Sequence, residues 1–157
     1  MKLSGSCRCG AVKFEMESRT PYPYMRCYCT VCRKTAGSAG YAINLMAAAD
    51  SLVIVEDGAT AVYNATINGQ TSPAERHFCA RCGSHLWLRD PRWPDLIHPH
   101  AGAIDSPLPT PPETVHIMLE FKADWVEVPE GPGHVHFQRY PDKSIEDWHK
   151  SWELYET

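Results

Sequence analysis

No stretch of this 157-residue sequence is long and apolar enough to cross a membrane as a helix. Its longest uncharged runs, Thr35 to Ala49 and Gly58 to Ala74, fall short of the ~18 apolar residues of a spanning helix and are broken by Gly, Ser and Asn. A basic excess is missing too. The 15 Lys and Arg stand against 19 Asp and Glu, a formal net charge of −4. The stretch from Asp142 to Thr157 holds five acids and two bases, so most of the negative charge sits at the C-terminal end and the body is nearly neutral. Nucleic-acid binding, which calls for positive charge over a whole face, is not expected. No internal repeat, low-complexity tract or dividing linker occurs. A chain of this size suits a single domain that buries roughly 70% of its unfolded surface. The opening residues, MKLSGSCRCG, lack the apolar segment of a secretory signal, and the expected compartment is a reducing cytoplasm.

The periodicity is mostly of strand type. Val12, Phe14 and Met16 alternate with Lys13, Glu15 and Glu17, and Val115, Ile117, Leu119 and Phe121 alternate likewise, as half-buried strands do. Shorter β-rich runs fall at Gly40 to Leu45, Leu52 to Glu56, Ala61 to Asn64, Arg76 to Cys79 and His85 to Arg89. A mainly β fold with antiparallel sheets follows. The 13 prolines and 10 glycines concentrate in connections and disfavour long helices. One short C-terminal helix is expected, since Ser144 and Asp147 fit a capping box and Ile145, Trp148, Trp152 and Tyr155 share one face at helical spacing.

Seven cysteines stand out in a chain expected to meet reducing conditions, where disulfides are disfavoured and metal binding is the natural alternative. They cluster as Cys7-Arg8-Cys9, Cys27-Tyr28-Cys29-Thr30-Val31-Cys32 and Cys79-Ala80-Arg81-Cys82-Gly83. A C-x-x-C pair at a tight turn aims both sulfurs at one ion, and Gly83 permits the reversal behind the second sulfur. Zinc is the default metal for such paired knuckles. In one partition Cys7, Cys9, Cys79 and Cys82 close a four-sulfur structural site, and Cys27, Cys29 and Cys32 form a three-ligand site with a position left for water or substrate. The other partition joins Cys29 and Cys32 with Cys79 and Cys82 as a zinc ribbon and leaves Cys7, Cys9 and Cys27 spare.

The segments GSCRCGAVKFE, CYCTVCRKTAGS, RHFCARCGSHLW, and AGAIDSP with HIMLEFKADWVEV resemble, in order and spacing, the glutathione-dependent formaldehyde-activating enzyme and centromere protein V family. The resemblance runs from Leu3 to about Pro141. It implies a β-tent of folded antiparallel sheets, a structural zinc on Cys7, Cys9, Cys79 and Cys82, and a second zinc on Cys27, Cys29 and Cys32. Residues 1–141 would then form the zinc-binding domain, and 142–157 an acidic helical tail packed on it. The family commonly has His between the first two cysteines of the triple; this chain has Tyr28.

The resulting expectation is a zinc-dependent carbon-sulfur lyase, or adduct-forming enzyme, acting on glutathione or a related thiol and a small aldehyde. Two zinc ions per chain are expected, with Cys27, Cys29 and Cys32 catalytic. The competing class is a non-catalytic zinc-stabilised module that binds a protein or a small thiol. Arg26, Arg33 and Lys34 surround the triple, and Arg76, Arg81, Arg89 and Arg92 flank the late pair against Asp90 alone. Arg33 and Lys34 are the best placed to hold the carboxylates of glutathione; the same bases also offset the charge of zinc thiolates. The eight histidines read as surface or hydrogen-bonded groups. Tyr28, Tyr41, Trp87 and Trp93 read as core or as pocket lining.

Overall fold

A computed structural model describes residues 1–156. Its strands are β1 (Lys2–Ser6), β2 (Val12–Glu17), β3 (Met25–Cys27), β4 (Ala47–Ala48), β5 (Val53–Asp57), β6 (Thr60–Ile67), β7 (Gln70–Cys79), β8 (His85–Arg89), β9 (Leu96–Pro99), β10 (Thr114–Ile117) and β11 (His134–His136). Two helices, α1 (Thr30–Thr35) and α2 (Ile145–Ser151), complete the regular structure with three 3-10 turns. The expected mainly β architecture with a short C-terminal helix is present. Two sheets are antiparallel, in orders β1-β2-β5 and β4-β9-β8-β7-β6. The third, β11-β10-β3, is parallel.

The alternation in β2 does what its pattern dictates: Val12, Phe14 and Met16 are buried while Lys13 and Glu17 face out. They pack, with Leu3 of β1, against Leu86, Trp87 and Ile97 of the five-stranded sheet. Phe14 and Trp87 meet edge to face at 5.0 Å; each ring contributes about 1.5–3 kcal/mol by leaving water. A second core gathers Tyr24, Ala42, Val115, Ile117 and Trp148 around the parallel sheet. Cys7 and Cys79 belong to the first core, Cys27 and Cys32 to the second. Each core thus anchors one group of sulfurs.

Two expected strands differ. The run Gly40 to Leu45 forms single bridges rather than a ladder, Ala42 to Cys27 and Asn44 to His100, because the chain crosses here from the parallel sheet toward β9. The strand at Val115 stops at Ile117. Met118 takes a left-handed conformation (φ 61°), and Leu119–Phe121 is a 3-10 turn. Helix α2 begins as expected, with Ser144 Oγ accepting from Asp147 N at 3.0 Å. Trp148 stacks on Tyr24 at 3.6 Å and donates through Nε1 to Glu113. Trp152, expected on the same face, caps the helix and is 43% exposed.

Candidate metal centres and the cleft beside them

The turn between β1 and β2 closes with Cys7 N donating to Val12 O at 3.0 Å, and Val12 N donates to Cys7 Sγ at 3.3 Å. The turn after β7 is tied by Cys79 N to Ser84 O and Gly83 N to Cys79 O, both 2.8 Å. Gly83 there has φ +75°, which only glycine adopts without strain. Arg8 N donates to Ser84 Oγ at 3.0 Å and joins the two turns. Cys7, Cys9, Cys79 and Cys82 consequently converge, with all sulfurs within 4.8 Å of one another. Cys7 to Cys9 is 3.6 Å and Cys9 to Cys79 is 3.8 Å. Sulfurs bound tetrahedrally at about 2.3 Å from zinc stand about 3.8 Å apart, so this donor set fits the ion. It is far too open for a disulfide, and all seven cysteines are unpaired. Ser84, whose hydroxyl and N–H face Cys82, holds that thiol down to about 5.

Cys27, Cys29 and Cys32 form the second cluster, again within 4.8 Å. Cys27 ends β3 and is fixed on both sides by Ala42, N to O at 2.8 Å and O to N at 3.0 Å. Cys29 caps α1, its Sγ accepting from Cys32 N at 3.3 Å. That helix, six residues long, was not among the expected elements: its N-cap is a cysteine rather than the usual Ser, Thr, Asp or Asn. Cys27 and Cys32 are buried and Cys29 is half-buried. Hydrogen bonds from Cys27 and Cys32, and then from backbone N–H groups, keep the Cys29 thiol far below the ordinary range. Its sulfur neighbours, with burial, push Cys27 up. Three packed sulfurs cannot all be thiolates unless a cation joins them, and the donor chemistry again suits zinc. The structure thus yields the four-plus-three grouping; the four cysteines of the ribbon alternative are not brought together.

Arg76 Nη2 lies 3.8 Å and Asn44 Nδ2 3.7 Å from Cys32 Sγ. Neither was singled out as a site residue, and no local signal marks Asn44. A cleft of about 700 Å³ opens beside α1. One wall is the run Arg33 to Ser38; the other is Ser6 to Arg8 with Gly83 to His85; His100, Gly102, Ala103 and Asp105 close it. Arg33 and Lys34 are therefore on the cleft, joined by Arg8. Asp105, the one acid on the wall, accepts from Ser6 Oγ at 2.6 Å. Cys7 lines the cleft, whereas the triple does not. The cleft begins at Arg33, the residue next to Cys32, and Arg33 Nε is buried with no protein partner.

Two other bases named from the sequence have partners away from the cleft. Arg26 covers the Tyr41 ring at 4.8 Å, and Arg92 pairs with Asp90. Of the histidines, His85 and His100 reach the cleft, 5.5 Å apart. Burial, then His100 and Arg76, holds His85 neutral, its pKa near 3. Tyr28 and Trp87 are core, Trp93 is 52% exposed, and none of the four aromatics considered above lines the cleft. Among the described residues no helix is long and apolar enough to cross a membrane.

A sequence-family model described as glutathione-dependent formaldehyde-activating enzyme matches residues 2–120. A protein of Halomonas elongata, provisionally named as a glutathione-dependent formaldehyde-activating enzyme, is 59% identical over 149 residues, covering 95% of each chain. The crystal structure of a Rhodobacter sphaeroides protein is similar with a TM-score of 0.52 at 26% identity, over 69% of this chain and 92% of that one.

Proposed function

The chain belongs to the glutathione-dependent formaldehyde-activating enzyme family, and on that premise we propose that it joins glutathione, or a related thiol, to a small aldehyde. In reverse, as a carbon-sulfur lyase, it releases the aldehyde. Cys27, Cys29 and Cys32 would hold a catalytic zinc ion, and Cys7, Cys9, Cys79 and Cys82 a structural one. Zinc with three protein ligands supplies a position at which a thiol ionises near neutral pH.

The observation that carries this reading is the basic cleft that begins at Arg33, the residue after Cys32. Arg8, Arg33 and Lys34 give it a positive wall, complementary to a small thiol bearing carboxylates. Arg33 offers a buried Nε without a partner, and a guanidinium fork pairs with a carboxylate in two parallel hydrogen bonds. In the addition, sulfur bonds to the carbonyl carbon, the π pair of C=O moves to oxygen, and the thiol proton ends on that oxygen. No oxidant or reductant is consumed. Glutathione chemistry agrees with a reducing cytoplasm, in which seven unpaired thiols persist.

The test is exchange between free glutathione and its formaldehyde adduct, followed by NMR with zinc-loaded protein. Acceleration over the uncatalysed rate that disappears in Cys29→Ser is expected. Binding of glutathione with no acceleration for any small aldehyde would make the protein a thiol-binding module instead.

A further inference from the structure

Arg76 is a cation buried to 9% exposure on β7. Its strand neighbours Glu75 and His77 point to the opposite face and pair with each other at 3.3 Å. Among the described residues no carboxylate forms an ion pair with Arg76. Its Nη1 has no partner, and its Nη2 faces Cys32 Sγ at 3.8 Å. A buried guanidinium without an anion is strongly unfavourable, so the fold must supply negative charge close by. The three-cysteine cluster is the candidate in contact with it. Asn44, directed at the same sulfur, is neutral, and its Oδ1 also lacks a partner.

We propose that Arg76 is a positioning residue for the three-cysteine centre, holding Cys32 Sγ through Nη2 and supplying the positive charge that balances the thiolates. The inference rests on reading Cys27, Cys29 and Cys32 as a metal centre. Three thiolates and a divalent ion leave one negative charge, which the guanidinium cancels. An incoming thiolate then meets a neutral centre rather than a repelling anion. His85 and His100 do not share this task, because burial lowers the pKa of both and disfavours their charged forms.

The test uses the zinc-loaded protein and a competing chromophoric chelator, with Arg76→Met and Arg76→Gln as variants. Wild type should release two ions in separable steps. Either variant should lose the more labile ion about 10- to 100-fold more readily, with the other ion unchanged. Thermal unfolding adds a readout that a purely packing role would not produce. With the labile ion removed, Arg76→Met should unfold at a higher temperature than wild type, since an unbalanced buried cation is gone; with both ions bound that gain should vanish or reverse. Equal retention of both ions in both variants would overturn the proposal, as would loss of both ions with lower unfolding temperatures in every state. A wild-type protein that binds a single ion would overturn the metal reading of the triple as well, which separates that failure from a failure of Arg76 alone.

Discussion

Tyr28 Oη lies 2.8 Å from Nδ1 of His116, and both side chains are fully buried. Tyr28 is the residue between the first two cysteines of the triple. Its side chain turns toward β10, where Tyr28 N also donates to Ile117 O at 3.0 Å. His116 continues to His134, Nε2 to Nδ1 at 3.1 Å. The triple is thereby tied to the parallel sheet through the residue between two of its cysteines. Tyr28→Phe removes that tie and leaves a buried ring nitrogen unpaired, which should cost about 1–3 kcal/mol. Chemical denaturation of the zinc-loaded protein measures it, and two bound ions should remain.

His116 also predicts a dependence on pH. Burial, followed by His136, Arg26 and His134, holds its pKa down to about 4, against about 6.5 for an unperturbed imidazole. Above about pH 6.5 neither the folded nor the unfolded state carries the proton, and the full contribution is present. As pH falls from there toward 4, the unfolded chain takes up a proton that the folded chain refuses, so stability decreases. Urea midpoints at pH 7.5 and 5 should therefore differ less in His116→Gln than in wild type.

The two sulfur clusters should respond differently to serine. Structural zinc in small peptides contributes roughly 10–16 kcal/mol at neutral pH, comparable with the ~5–15 kcal/mol stability of a whole domain. Cys7 and Cys79 lie in the first core, and Cys7→Ser or Cys82→Ser should reduce soluble yield severely. Cys29 is half-buried at the start of α1; Cys29→Ser should stay folded and lose one ion together with activity. Soluble yield, metal content and circular dichroism distinguish the cases, and equal damage from Cys29→Ser would mark the triple as structural.

Glutathione affinity should depend on the basic wall of the cleft. Arg33→Ala should weaken binding by roughly 1.5–3 kcal/mol through loss of a charged hydrogen bond. Added salt should weaken binding to the wild type as well, because the residues at the rim are screened. Calorimetry with S-methylated glutathione completes the comparison: its thioether cannot ionise, and affinity equal to that of the free thiol would show that the sulfur plays no part in binding.

Gly37 sets the geometry of that wall. A Cβ built there would stand 2.3 Å from Tyr41 O and 3.0 Å from Arg33 Cα, so the backbone after α1 must move. Gly37→Ala should destabilise the fold by about 1–3 kcal/mol, as overpacking does. It should also displace Arg33 and weaken glutathione binding, while metal content remains unchanged.

Local pattern was enough for the features governed by local physics. Alternation in β2 placed Val12, Phe14 and Met16 inside, and the Ser144 cap started α2, because both depend on neighbours a few residues away. Cysteine spacing kept Cys29 and Cys32 on one turn, since a short loop can direct its sulfurs in few ways. It left open how the clusters combine, which depends on β1 and β7 ending side by side; tertiary structure alone brings Cys9 within 3.8 Å of Cys79. The parallel pairing of β3, β10 and β11 was equally hidden, because short strands joined by long connections carry no register signal. The division of labour among the bases followed from folding too. Arg33 and Lys34 were visible as neighbours of Cys32, but Arg8 reached the same cleft only through the β1–β2 turn. Arg76, 44 positions from Cys32, meets its sulfur because β7 turns that side chain inward, and a buried charge must find its partner in space rather than along the chain.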